Sequence, residues 1–200
     1  DDLYSEDTMM PTGNLRENRR GAKRAQIIIV TKCPEILGED EQSENKKQLK
    51  AEKDQFVFFT KIKYAEEIIG KEAKIAMADL PNYEILLVTG ISNTKPLVQF
   101  LEGQKISIQH LKYADHYEFS IKDIDKITET YSKIENKKKI ILTTEKDYVR
   151  SFKGVDNFYY LPIETVFIDH QKDFDKLIKD YVEQSSKNSR VFTKKRIQKS

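Results

Sequence analysis

The stretch EILLVTG at residues 84–90 decides the fold. Its apolar residues follow one another without alternation, which is typical of a strand that is covered on both faces. QIIIVT at 26–31 and KIILT at 139–143 have the same form. Because the inner strands of a parallel sheet are buried on both sides, the three runs predict the interior of an α/β sheet.

Helical patterns lie between these runs. The segment 94–102 predicts a short helix, and 105–111 predicts an alternating strand. Ser120 is a candidate N-cap with Asp123 three residues later, and a helical stripe of apolar residues follows. Strands that alternate with helices through right-handed crossovers predict an α/β fold, namely a Rossmann-like, mostly parallel sheet flanked by helices.

Less regular segments complete the pattern. Residues 55–62 and 158–162 predict further strands, and Asp169 is expected to cap the last helix. The nearly all-polar stretch 39–54 suits an exposed helix or a loop, and 64–78 has mixed helical spacing. We therefore expect helical structure around residues 64–78.

The chain divides into three parts by composition. Residues 1–25 lack an apolar stripe and are expected to form an irregular linker, whereas 26–183 form the α/β domain. Residues 184–200 form a flexible basic tail, because they hold six basic residues, no acid and few apolar side chains. The net charge of +2 therefore combines a basic tail with a body that is acidic on balance.

Composition excludes several classes of protein. With 200 residues and 38% hydrophobic content the chain is long enough for a sizeable core. No apolar run approaches the roughly 20 residues of a membrane-spanning helix. The single Cys33 excludes an internal disulfide framework and favours a reducing compartment. The chain begins at Asp1 without a methionine or a leader, so we expect a fragment of a longer protein.

The strand ends are where we expect a site. In an open α/β sheet the ligand crevice lies beyond the carboxyl ends of the strands, where Thr89, Gly90, Thr144 and Lys146 are candidate cleft residues. Two structural explanations remain open, because threonine also suits the end of a strand and Thr144 with the acids after it can simply cap a helix.

Asp115 and His116 follow another strand end and form a second candidate. An imidazole can orient or polarise a catalytic base near neutral pH. A surface histidine that happens to stand beside an aspartate is the structural alternative. We take Asp115 and His116 as the candidate catalytic pair.

Nucleotide-binding fingerprints are missing from the sequence. None of its seven glycines is spaced as in a P-loop or a dinucleotide-binding turn. The basic segment from Pro11 to Arg24 contains arginines that can clamp phosphate and Glu17, which can hold a divalent cation. By composition alone a solvated basic loop is the simpler interpretation of that segment.

Several longer motifs nevertheless point to one family. They are PTGNLRE at 11–17, GAKRAQIIIVTKCP at 21–34, VTGISNTKPLVQFL at 88–101, YADHYEFSIKDI at 113–124 and ILTTEKDYVR at 141–150. In order and spacing they resemble the motifs of tetraacyldisaccharide 4′-kinase, an enzyme of lipid A and lipopolysaccharide biosynthesis. Ser92 and Thr94 depart from the family pattern and put only the form of that loop in doubt.

The resemblance implies an ATP-dependent kinase that phosphorylates the 4′-hydroxyl of a tetraacyldisaccharide lipid A precursor. In that family the P-loop, the aspartates for Mg²⁺ and the catalytic base lie in an N-terminal domain outside this chain. ATP and Mg²⁺ would therefore be bound mainly there, and no complete metal site is expected here. Arg16 and Glu17 would face the nucleotide and Mg²⁺, and His116 would pair with the aspartate that acts as base.

The implied partners are the disaccharide precursor and, through the basic tail, an anionic membrane surface, whereas nucleic acid is not favoured. The implied location is peripheral, on the cytoplasmic face of the inner membrane of a Gram-negative bacterium. This half alone is expected to be inactive. The alternative is a non-enzymatic α/β binding module whose tail contacts a polyanion such as RNA.

Overall fold

The computed structural model describes residues 19–197, with side chains described from 21 to 185. Its contacts form two compact units. The first unit comprises the described residues up to 62 together with the described residues from 165 onward, and the second unit comprises 63–164. The domain limits expected from composition, at 25 and 183, stay a prediction.

The first unit is built on a three-stranded sheet in the order β1-β2-β9. A 3₁₀ helix at Arg19–Arg24 precedes its elements, which are β1 (Ile27–Val30), α1 (Glu39–Gln48), β2 (Phe56–Tyr64), β9 (Ile163–Phe167) and α5 (Gln171–Ile197). β1 pairs with β2 in parallel, with Ile27 opposite Phe56. The rings of Phe58, Phe167 and Phe174 meet in a cluster that joins β2 and β9 to α5.

The second unit is built on a six-stranded sheet in the order β4-β3-β8-β7-β5-β6. Its strands are β3 (Glu67–Gly70), β4 (Lys74–Ala76), β5 (Glu84–Thr89), β6 (Ser107–Lys112), β7 (Lys139–Thr144) and β8 (Phe158–Leu161). β8, β7, β5 and β6 run parallel to one another, whereas β3 is antiparallel to both β4 and β8. The α/β class is therefore confirmed, with an antiparallel hairpin added to a parallel sheet.

Helices connect and cover this sheet. They are α2 (Lys95–Gly103), α3 (Ile121–Ser132) and the short α4 (Glu145–Asp147), which continues as a π-helical turn at Tyr148–Phe152, and a 3₁₀ helix at Met77–Asn82 precedes β5. Ile85 and Leu87 pack with Leu97 and Leu101 of α2, whereas Leu86 and Val88 pack on the opposite face with Ile127 of α3. Since side chains alternate along a strand, α2 and α3 cover opposite faces.

Four expectations from the sequence are wrong or incomplete. Residues 64–78 form the β3–β4 hairpin instead of a helix, and β9 was not predicted. The run at 26–31 is not covered on both faces, because Ile29 in β1 is 43% exposed. Asp169 does not begin the last helix, since α5 starts at Gln171 and the Asp169 carboxylate accepts a hydrogen bond from Gln42 Nε2 at 2.9 Å.

α5 continues to Ile197, into the part of the chain that composition assigns to a flexible tail. The tail contains neither proline nor glycine, and its lysines and arginines are good helix formers, so nothing in its sequence stops the helix. None of the described helices is both long enough and apolar enough to cross a membrane.

Candidate functional site

The connections of β5 create a switch point at the centre of the six-stranded sheet. From β5 the chain passes through α2 to β6 on one side, and from β7 it passes through α4 and the π-helical turn to β8 on the other side. The two crossovers therefore diverge beyond the carboxyl ends of β5 and β7. This is the position at which open α/β sheets bind their ligands.

A buried carboxylate joins the ends of these two strands. Asp147 is fully buried, and its Oδ2 accepts hydrogen bonds from the Gly90 N–H at 2.8 Å and from Thr144 Oγ1 at 2.9 Å. Its Oδ1 pairs with Arg150 Nη2 at 2.6 Å. Thr144 is the N-cap of α4 and accepts a hydrogen bond from the Asp147 N–H at 3.2 Å. Three donors therefore stabilise a charge that would be costly to bury alone.

His116 lies at the same edge with its backbone in the left-handed region, at φ 58°. Its N–H donates to the Gly90 carbonyl at 3.1 Å and to Asp115 Oδ1 at 3.0 Å. The imidazole is 70% exposed, and its Nε2 lies 3.8 Å from Asp115 Oδ2. A fixed backbone thus presents a ring that is free to meet a ligand.

Lys146 brings a positive charge to this ring. Its Nζ lies 3.3 Å from His116 Nδ1 and 3.4 Å from Nε2, across 30 residues of sequence. Because the two distances are nearly equal, the ammonium group does not select one ring nitrogen. Together, Lys146 and His116 present nitrogen donors that suit a phosphate or a carboxylate.

Aromatic rings support the loop that carries His116. Tyr113, Tyr117 and Phe119 pack against one another with ring centroids 4.8 to 5.1 Å apart, and Phe119 packs on Phe152 at 4.6 Å. A Cβ on Gly90 would lie 3.3 Å from the Phe119 ring and 3.4 Å from Tyr117, so the loop packs closely on the end of β5. The position of the loop therefore depends on the core of the second unit.

Two ionisable groups near the loop have shifted pKa values. Desolvation and the nearby Asp123 carboxylate raise the pKa of the Tyr117 hydroxyl, which hydrogen-bonds to Asp123. The pKa of Asp123 is lowered, chiefly because the Ser120 hydroxyl and N–H donate to it. These are the bonds of a capping box at the start of α3, so the expected N-cap at Ser120 is confirmed.

A second histidine, His110, lies beside the site and is half-buried. His110 Nε2 is 2.8 Å from Thr89 Oγ1, and burial, followed by the charge of Lys112, lowers the pKa of this imidazole. The Thr89 hydroxyl is therefore occupied within the sheet. Of the four candidate cleft residues, Thr89 is thus engaged in an internal pair.

The structure brings six of the predicted site residues to one edge: Asp115, His116, Thr89, Gly90, Thr144 and Lys146. Their functional roles stay predictions. Arg16 and Glu17 lie outside the described residues. Sequence reasoning treated Asp147 only as an acid in a first helical turn, and the one signal for it is the Thr-x-x-Asp spacing of a cap. Among the residues that the structure describes, no cluster of histidine, cysteine or acidic side chains suits a metal ion.

Comparisons with known proteins agree on one family. The family model described as tetraacyldisaccharide-1-P 4′-kinase, LpxK, matches residues 1–183. A tetraacyldisaccharide 4′-kinase from Flavobacterium johnsoniae is 44% identical, with 92% of this chain and 53% of that protein aligned. The corresponding kinase from Bacteroides thetaiotaomicron is 34% identical over 94% of this chain and 54% of that protein. The chain therefore spans about half the length of the curated relatives it matches.

A solved structure agrees at the level of the fold. The crystal structure of LpxK from Aquifex aeolicus in complex with ATP has a TM-score of 0.59 to this chain and 18% sequence identity. The match covers 87% of this chain and 48% of that one. At this identity the likeness shows a common fold alone.

Proposed function

The chain belongs to the tetraacyldisaccharide-1-P 4′-kinase family, and on that premise we propose that the full-length protein is an ATP-dependent kinase. It transfers the γ-phosphate of ATP to the 4′-hydroxyl of a lipid A disaccharide precursor. The observation that carries the proposal is His116, which stands exposed and conformationally fixed beside Lys146 at the switch-point edge.

The chemistry divides between this chain and the rest of the protein. Phosphoryl transfer requires a phosphate cradle, a metal and a positioned base. The sequence of this chain holds no P-loop motif, so ATP and Mg²⁺ are bound mainly by the part of the protein outside it. The resemblance of their motif to that of the family assigns Arg16 and Glu17 a proposed role in binding that nucleotide and metal.

His116 serves the acceptor side of the reaction. Its exposed imidazole orients or polarises the aspartate that removes the proton from the 4′-hydroxyl, and Asp115 helps to hold the ring. Lys146 adds positive charge where negative charge accumulates during transfer. The arrangement suits an anionic sugar substrate better than a neutral one.

Phosphate transfer by the full-length protein tests this function. With γ-labelled ATP, Mg²⁺ and the disaccharide, we expect label on the sugar product, and we expect none from the 200-residue chain alone. Transfer by that chain, with a contaminating kinase excluded, would show that it holds its own ATP site. No transfer by a folded full-length protein would instead favour a binding module, and retention on RNA would identify its polyanion.

The basic tail has a proposed role at the membrane. Each lysine or arginine near an anionic leaflet contributes about 1 kcal/mol, and the tail contains six such residues. It holds the enzyme peripherally at the cytoplasmic face of the inner membrane of a Gram-negative bacterium, and nucleic acid is not its partner. Removing 185–200 should weaken binding to anionic vesicles, and the difference should fade at high salt. Equal binding with and without the tail would contradict this role.

A further inference from the structure

Asp147 has more partners than a helix cap requires. Among the described residues it is the one charged side chain that is buried, and it bonds to three groups. Asp123 occupies the same position at the start of α3, but it is only half-buried, and its partners Ser120 and Tyr117 lie within six residues of it in sequence. Asp147 instead reaches Gly90, 57 residues away in sequence.

The bond to Gly90 leads directly to His116. The N–H of Gly90 donates to Asp147 Oδ2 at 2.8 Å, and the carbonyl of the same glycine accepts the His116 N–H at 3.1 Å. Both polar groups of Gly90 are thus engaged. The second bond holds His116 where its backbone is left-handed, a conformation that needs support from its surroundings.

The chain neighbour of Asp147 reaches the same imidazole from the other side. Lys146 places its Nζ within 3.4 Å of both ring nitrogens. A shift of Asp147 would therefore move two contacts of the imidazole together, the backbone bond through Gly90 and the side-chain contact through Lys146.

We infer that Asp147 is a positioning residue for His116, which it holds in place through Gly90 and Lys146. The inference rests on the proposed function, because it gives Asp147 a part in phosphate transfer. Asp147 positions His116 through the carboxylate oxygen that accepts from the Gly90 N–H, whereas its ion pair with Arg150 stabilises the fold. The two parts are separable by substitution.

Three variants of the full-length protein separate them. Asp147→Asn keeps an acceptor for the Gly90 N–H, so kcat should stay within about fivefold of wild type while the melting temperature falls. Arg150→Met breaks the ion pair but keeps the Gly90 bond, so it should behave in the same way. Asp147→Ala combined with Arg150→Met removes the acceptor without leaving a buried charge, and kcat should fall about 100-fold with KM for ATP nearly unchanged.

The relation between kcat and melting temperature across the three variants tests the inference. If kcat follows the melting temperature across them, Asp147 is only structural and the inference is wrong. The same holds if the double variant keeps wild-type kcat. Asp147→Asn provides a second route should the double variant fail to fold, since a 100-fold loss in a folded Asn variant would also overturn the role of the acceptor.

Coupling to His116 gives an independent readout. If Asp147 acts through the imidazole, then adding Asp147→Ala and Arg150→Met to His116→Ala should lower kcat by less than about threefold further. If the losses of kcat multiply instead, Asp147 acts independently of His116. That result would contradict the inference but not the proposed function. Wild-type kcat in His116→Ala would contradict the proposed mechanism itself, so the two failures are distinguishable.

Discussion

The dipeptide Asp-His occurs twice in this chain. The two copies share a backbone conformation and an exposed imidazole, but the partners of the two histidines differ. Asp115-His116 lies in the second unit and Asp169-His170 in the first. Both histidines have left-handed backbones, at φ 58° and 54°, and both imidazoles are largely exposed. Neither the dipeptide nor the backbone conformation distinguishes a functional histidine from a structural one.

The partners of the two histidines do distinguish them. His170 bonds within its own turn, where its carbonyl accepts from the N–H groups of Asp173 and Phe174 and its Nδ1 lies 3.1 Å from Asp173 Oδ2. It begins a helix. His116 is instead held by groups from two other strand ends, Gly90 and Lys146. Convergence of distant segments on one side chain is thus the better sign of a site.

The largest expected effect separates the two histidines by turnover. In the full-length protein, His116→Ala should lower kcat by about 10² to 10⁴, the range for groups that assist proton transfer. His170→Ala, the matched control, should leave kcat within about threefold, because a surface change away from the chemistry rarely does more. Steady-state kinetics and thermal unfolding on the same samples provide the measurement. Equal losses of kcat in both variants would contradict the expected functional difference between the two histidines.

A second prediction concerns the aromatic support beneath each dipeptide. Phe119 supports the loop of His116, and Phe174 packs on Phe58 and Phe167 beside His170. Because both rings are half-buried, each Phe→Ala change should cost about 2 kcal/mol of stability, less than the roughly 3–5 kcal/mol of a fully buried aromatic ring.

Only Phe119→Ala should also lower kcat in the fraction that remains folded, by about tenfold for a displaced catalytic group. Active-site titration of the folded fraction at a temperature below both melting transitions checks this. Normal turnover in Phe119→Ala would mean that the loop does not need its aromatic support.

A third prediction tests the backbone that the two dipeptides share. Glycine adopts positive φ without the steric cost that other residues meet, so His116→Gly and His170→Gly should each stabilise the chain by about 1 kcal/mol. Denaturant unfolding of both variants, compared with wild type and with their alanine counterparts, measures it. Only His116→Gly should abolish turnover, so this one substitution would raise stability and remove activity. A destabilised His170→Gly variant would show that the imidazole contact with Asp173 outweighs the relief of the backbone.

The smallest expected effect concerns His110, which is half-buried, unlike the two exposed histidines. Desolvation holds its pKa below the ordinary value of 6.5, so on acidification the unfolded chain takes up this proton first. Stability is therefore complete above pH 6.5 and is lost as pH falls through 6.5 toward the lowered value.

Between pH 7 and pH 5, His110→Gln should lose less stability than wild type, by about 0.5 kcal/mol or less because the ring keeps some solvent. Urea unfolding at the two pH values measures the difference. A variant that is equally or more sensitive to acid would contradict the assignment of this pH dependence to His110.

Much of the second unit could be predicted from sequence. Apolar runs such as 84–90 and 139–143 have few alternatives to a buried strand of a parallel sheet. The start of α3 was predictable because the capping box of Ser120 and Asp123 depends on a few consecutive residues. The edge that carries Asp115 and His116 followed from the rule for open α/β sheets together with the family motifs.

Long-range pairing could not be predicted. β1 resembles β7 in composition, yet it lies in another sheet and its Ile29 is exposed. The sequence of a strand does not determine which strand it pairs with. The β3–β4 hairpin depends on Gly70, where a Cβ would lie 2.7 Å from the ring of Tyr159 on β8. The burial of Asp147 depends in the same way on an N–H group supplied by the end of another strand. Each of these features needs two segments whose proximity no local pattern shows.

The order of the six-stranded sheet also affects how separate molecules meet. Its two outer strands are β4, which has only three residues, and β6, whose side chains are all either exposed or half-buried. On β4 the exposed Lys74 forms an ion pair with Glu67 at 3.2 Å. A short strand and charged side chains at the rim make a poor template for a strand from another copy, so the sheet resists edge-to-edge aggregation while its buried strands stay paired inside.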